Sequence, residues 1–151
     1  MTGSRFILIL IALAGVLLFA HTSQALQKND ADEAIEKYLS TQKSDHEDAQ
    51  AQGSAIADLN GDGKPEVVLV WTLLGPTYWR NTLTVFSKVG TEYKAVASFQ
   101  LTGEAELSSV KGGIIFVDQK VLAKNDPLCC PSIKKRGRYR WVGKKILEVK
   151  S

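Results

Sequence analysis

Oxygen-bearing side chains crowd the stretch IADLNGDGKPEVVLVW, Ile56 to Trp71. Counted from Asp58, oxygen donors fall at alternate positions: Asp58, Asn60, Asp62, the backbone carbonyl of Lys64, then Glu66. Gly63 sits where a sharp turn lets the backbone wrap an ion. Hard oxygen donors at this spacing suit Ca²⁺, which accepts roughly six to eight oxygens in flexible geometry. Three carboxylates confined to one loop repel one another unless a cation neutralises them. The competing reading is a polar Asn-Gly/Asp-Gly hairpin that needs no ion.

The start of the loop matches the EF-hand pattern. Its twelfth position, however, is Leu69, which has no oxygen to offer, and the chain leaves the loop as the strand EVVLVW. An EF-hand is therefore excluded. The pattern D-x-N-x-D-G-x-x-E followed by an apolar strand resembles the calcium loop of FG-GAP/VCBS-type repeats, as in integrin-like β-propellers. The likeness covers Ile56–Trp71 and implies Asp58, Asn60, Asp62, the Lys64 carbonyl and Glu66 as ligands. Glu66 stands where Asp is also common. No second copy follows, so this chain alone cannot build a propeller.

A catalytic metal needs an open coordination position beside an acid, a base or a nucleophile. The one histidine beyond residue 25 is His46, in a polar connector, and no Ser-x-x-Lys, G-x-S-x-G, HExxH or phosphate-loop motif is present. A bound ion is thus expected to be structural. The only cysteines are the adjacent Cys129 and Cys130, set between Pro127 and Pro131. In an oxidising compartment they can close a vicinal disulfide, form two mixed disulfides, or stay buried as thiols. A redox relay normally uses C-x-x-C on a helix. DPLCCPS with the following RYRWVG resembles the C-terminal part of LppP/LprE-type bacterial lipoproteins, which implies a small exported protein. The lipobox cysteine of that family is missing, so tethering to a membrane by lipid does not carry over. LLGPTYWRN places Tyr78, Trp79 and Arg80 in a loop between strands. These residue types are enriched at binding hot spots, although Trp79 can equally fold back as a lid on the core.

These groups must be held by the elements around them. NDADEAIEKYLSTQ predicts a helix capped by Asn29 or Asp30, with Ala31, Ala34, Ile35, Tyr38 and Leu39 as its apolar stripe. KSDHEDAQAQGS reads as a turn-like connector. Strand candidates then follow with short turns between them: Ala55–Asp58, Glu66–Leu73, Thr82–Ser87, Glu92–Gln100, Ala105–Val110, Ile114–Asp118, Arg136–Val142 and Lys145–Val149. Tyr93, Ala95, Ala97, Phe99 and Leu101 alternate as one face of a strand. Hairpins without intervening helices predict an α+β fold, an N-terminal helix packed on an antiparallel meander sheet with the calcium loop as one hairpin. VVLVW is apolar on both faces and predicts a central strand covered on both sides, by the far end of the sheet or by another protein.

The chain opens with Arg5, an apolar run from Phe6 to Ala20, and small residues at Ser23 and Ala25. That is the order of a signal peptide cleaved before Leu26; the alternative is an uncleaved membrane anchor, for which the run is shorter than the roughly 18 to 20 residues that span a bilayer. Residues 26–151 are enough for a single domain with its own core. Acids dominate from Leu26 to Glu66 and bases from Lys120 onward. The two ends attract each other within the fold, or the basic part faces an anionic partner. An exported, calcium-stabilised, non-catalytic module binding a protein or an anionic envelope component fits best, with no nucleic acid as partner. The alternative is an enzyme or thiol-redox protein centred on the cysteine pair.

Overall fold

The computed structural model describes residues 26–127 and 129–150. Residues 1–25, read above as a signal peptide, lie outside the described residues. Helix α1 occupies residues 26–42. Eight strands follow: β1 Asp48–Ala57, β2 Glu66–Leu74, β3 Trp79–Val89, β4 Glu92–Leu101, β5 Glu104–Lys111, β6 Ile114–Val121, β7 Ile133–Val142 and β8 Lys145–Glu148. Every strand pairs antiparallel with its neighbours in sequence, and the ladder breaks once, between β4 and β5. The α+β class and the meander are as the sequence predicts. The meander, however, is two four-stranded sheets, β1–β4 and β5–β8, and they pack face to face.

Strand β2 explains the stacking. Val68 and Val70 enter a core with Leu83, Val85, Ile115 and Val117, between the two sheets. Val67, Leu69, Trp71 and Leu73 point the other way and pack with Ala31, Ile35 and Leu39 of α1. Burying each such side chain contributes about 1.5–3 kcal/mol, so a strand apolar on both faces belongs in the middle layer. The second cover is the chain's own second half. Tyr38 packs edge-on against both Trp71 and Phe86 and locks α1 onto the sheet.

Three local expectations are corrected. Asn29 and Asp30 lie inside α1 rather than capping it, because residues 26–28 already take helical geometry. Most of the supposed connector is strand: residues 48–54 pair with β2, and the polar side chains that disguised them belong to an edge strand with one exposed face. The alternation in β4 also switches face. A register shift opposite Val85 and Phe86 leaves Val96 without a partner, and such a bulge rotates the side chains beyond it. Tyr93 accordingly packs toward α1, whereas Ala97 and Leu101 pack between the sheets.

The strands align so that turns gather at two poles. The β1–β2 acidic loop and the β3–β4, β5–β6 and β7–β8 turns share one pole. The β2–β3 turn, the β4–β5 linker and the β6–β7 connection share the other. Among the described residues no helix is long and apolar enough to cross a membrane.

Candidate functional site

The acidic loop is shaped by its own side chains. Asp58 accepts hydrogen bonds from the backbone N–H of Gly61 at 2.7 Å and of Gly63 at 2.9 Å. Asn60 Oδ1 accepts from the N–H of Asp62, and Asp62 Oδ1 from that of Lys64. Gly61 and Gly63 turn the chain through positive φ, at 80° and 79°, a region that costs glycine little. The N–H of Gly63, foremost, and that of Gly61 hold the Asp58 carboxyl below the ordinary range.

Glu66 differs from the other acids. It opens β2 at 1% exposure and accepts one hydrogen bond from the Leu59 N–H at 2.9 Å. Burial, then the negative charges of Asp62 and Asp58, push its pKa up. Leu59 itself is buried in the inter-sheet core and anchors the loop. Among the described residues, no three His, Cys, Asp or Glu side chains are drawn together as a bound metal would draw them. The donor chemistry nonetheless fits a hard cation. All the side-chain donors are oxygens, and the negative charges of Asp62 and Asp58 act on the buried Glu66 carboxyl, a repulsion that a cation would relieve.

The opposite pole holds a cleft of about 790 Å³ between the open ends of the two sheets. Its floor consists of Thr72, Asn81 and Gln119, at 7%, 3% and 3% exposure. Thr72 donates to Asn81 Oδ1, Asn81 Nδ2 donates to the Gly103 carbonyl at 2.7 Å, and Gln119 Nε2 donates to the Thr102 carbonyl at 2.8 Å. One amide from each sheet thereby pins the linker that joins the sheets. Gln119 Oε1 in turn accepts from the Tyr139 hydroxyl at 3.0 Å. Gly137 makes room for this pair, since a Cβ there would come within 2.6 Å of Gln119 Oε1.

The predicted aromatic site is split. Trp79 and Arg80 belong to β3 rather than to a loop, and only Tyr78 precedes the strand. Successive strand residues face opposite ways. Trp79 accordingly lines the cleft, while Arg80 stacks over the Tyr78 ring at 5.4 Å. Tyr78 donates to Glu47, which holds the Glu47 carboxyl down and the Tyr78 phenol up.

Cys129 and Cys130 form a vicinal disulfide, and both are exposed, which removes the buried-thiol reading. Their loop is organised by Asp126, which accepts from the N–H groups of Ala123 and Ser132, each at 2.8 Å, and from the Ser132 hydroxyl. These donors, Ala123 foremost, depress the Asp126 pKa. His46 is exposed in the turn before β1, at the cleft pole and outside the cleft lining. The acidic and basic halves of the sequence do not pair with each other among the described residues. The basic half pairs with acids of the same sheet, as in Lys120–Glu104, Lys135–Glu148 and Arg136–Asp118.

The acidic loop thus lies at one pole, with Trp79 and the cysteine pair at the other. The cleft floor lies outside the residues that motif and spacing single out, although the strands carry a signal for it. Gln119 continues the inward alternation of Ile115 and Val117, and Asn81 precedes that of Leu83 and Val85, so polar residues occupy core positions at matching strand ends. In comparisons with known proteins, no family model, no curated protein and no solved structure matches this chain.

Proposed function

We propose that residues 26–151, after removal of a signal peptide, form an exported, calcium-stabilised, non-catalytic domain that binds a component of the bacterial envelope. The observation that carries the reading is Trp79. This large apolar side chain is 38% exposed and lines a cleft instead of closing over the core. An indole left at the mouth of a concave, polar-floored space is suited to contact a ligand. Away from the cleft, near the β7–β8 turn at the opposite pole, Arg140 and Lys145 have no ion-pair partner among the described residues, which favours a second, electrostatic contact with an envelope bearing negative charge.

Calcium is supported by the loop. Asp58, Asn60, Asp62, Glu66 and the Lys64 carbonyl would hold the ion, whose charge would offset the repulsion at Glu66. At about 10 mM Ca²⁺, roughly 100 times a Kd of order 10⁻⁴ M, binding to the folded state alone stabilises by about 2.7 kcal/mol. That corresponds to a rise of about 10 °C in melting temperature. Asp58→Ala and Asp62→Ala are expected to abolish the rise, and equal melting in calcium and in chelator rules the ion out. The binding half is tested by co-sedimentation with isolated bacterial envelopes, where Trp79→Ala is expected to leave the protein in the supernatant.

A thiol-redox role is favoured by one observation, the exposure of the Cys129–Cys130 disulfide. Thiol titration before and after mild reduction separates the readings. A redox protein exchanges this disulfide reversibly and loses its function in the double Ser variant without loss of stability.

A further inference from the structure

We propose that the cleft beneath Trp79 is a binding site for an uncharged, polyhydroxylated ligand, a short oligosaccharide segment. The inference rests on the binding-module reading and names its ligand class; it does not depend on calcium. Three features of the cleft carry it.

The first is the floor. Asn81 and Gln119 are nearly fully buried, yet each amide nitrogen carries two N–H groups and makes one hydrogen bond within the protein. A second donor remains on each, fixed in place by the first. The Thr72 oxygen, itself a donor to Asn81, keeps lone pairs to accept. Paired, pre-oriented donors and acceptors on a rigid floor suit ligand hydroxyls, which both give and receive.

The second is Trp79. A sugar ring presents an apolar C–H face together with a polar edge. An indole at the mouth with amides below offers the complementary surfaces, one for stacking and one for hydrogen bonding.

The third is charge. Ionic side chains around the cleft are matched: Lys120 with Glu104 at 3.3 Å, Arg136 with Asp118 at 2.7 Å, and Lys135 with Glu148 at 2.8 Å. The remaining lining charges, Lys134 and Glu106, are of opposite sign. The lining charges thus balance and offer no concentrated positive charge to a phosphate or carboxylate, and a neutral ligand leaves the pairs intact. At about 790 Å³ the space exceeds the needs of a monosaccharide and falls within the range of ordinary ligand sites.

The test is calorimetric titration of the mature protein with cellotetraose, chitotetraose and maltotetraose. Saturable binding of at least one is expected, with the same affinity at about 0.05 M and about 0.5 M NaCl, because no net charge is screened. Trp79→Ala is expected to weaken it by about fivefold to tenfold, and Trp79→Phe to restore most of the loss through its ring. Circular dichroism confirms that the variants fold, and Lys111→Ala, at an exposed residue beside the β5–β6 turn of the far pole, serves as a control that leaves sugar affinity unchanged. No binding of any of the three overturns the proposal, as does binding indifferent to Trp79→Ala or weakened by salt. If the sugars fail while Trp79-dependent sedimentation with envelopes persists, the ligand class is wrong and the binding-module reading stands. If both fail, both fall.

Discussion

Replacing Tyr139 by Phe tests the polar network under the cleft through the sign of a pH effect. The Tyr139 side chain is 2% exposed, and its hydroxyl donates to Gln119 Oε1 at 3.0 Å. Near pH 8 the substitution removes that bond and leaves a buried acceptor without its donor, a loss of about 1–2 kcal/mol. At roughly 4 °C per kcal/mol for a domain of this size, melting falls by about 4–8 °C. Alkali reverses the comparison. Burial, and secondly the charge of Glu148, push the phenol pKa from 10.0 up to about 12. A group whose folded pKa is raised contributes stability fully below its unfolded pKa and loses it as pH climbs through the folded value. The shift corresponds to about 2.7 kcal/mol, of which about 2 kcal/mol has gone by pH 11.5. Phe cannot ionise, so the variant escapes this loss, and Tyr78 and Tyr93 are common to both proteins and cancel. Urea melts followed by circular dichroism from pH 8 to pH 11.5 are expected to converge and cross near the upper end. A stability difference constant across that range refutes the buried, hydrogen-bonded phenol.

Further outcomes concern the linker and the β6–β7 loop. A Cβ at Gly103, where φ is +71°, would lie 2.0 Å from the Lys120 carbonyl oxygen, so Gly103→Ala is expected to cost about 2 kcal/mol or more in urea melts. Changing both Cys129 and Cys130 to Ser is expected to cost about 1 kcal/mol at most in the same assay, because a bridge between adjacent residues restricts little of the unfolded chain. Asp126→Ala is expected to lower the melting temperature more than the double Ser change. Since the Asp126 pKa is depressed from 3.8, its contribution is present above that value and lost as pH falls through the depressed one, which melts between pH 6 and pH 2 read directly.

Helix, strand order and the acidic loop were legible because each is a local pattern. The α1 stripe at Ala31, Ile35 and Leu39 is what meets β2, and VVLVW announced its two covered faces. The extent of β1 was hidden because an edge strand with one solvated face needs few apolar residues, and DAQAQGS offers only alanines. The division into two sheets was hidden as well. The break falls at Thr102–Gly103, a turn like any other in sequence, and only the packing of Val68 and Val70 against Ile115 and Val117 shows that pairing stops there. Tyr78, Trp79 and Arg80 are residue types suited to contact. Which of them meets the cleft depends on where β3 begins, a boundary that composition does not mark. The cleft floor depends on register between strands far apart in the chain.

The pinning of Thr102 and Gly103 by one amide from each sheet also bears on the order of folding. Each sheet is made of hairpins that close between neighbours in sequence, events with small loop-closure cost, so either half can begin to assemble alone. Asn81 sits opposite Leu101 and Gln119 opposite Ala105, so each amide reaches the linker as its own half closes, whereas the cleft, lined by both sheets, exists only once the halves dock. Occupancy of the cleft therefore reports on chains whose two halves have already joined.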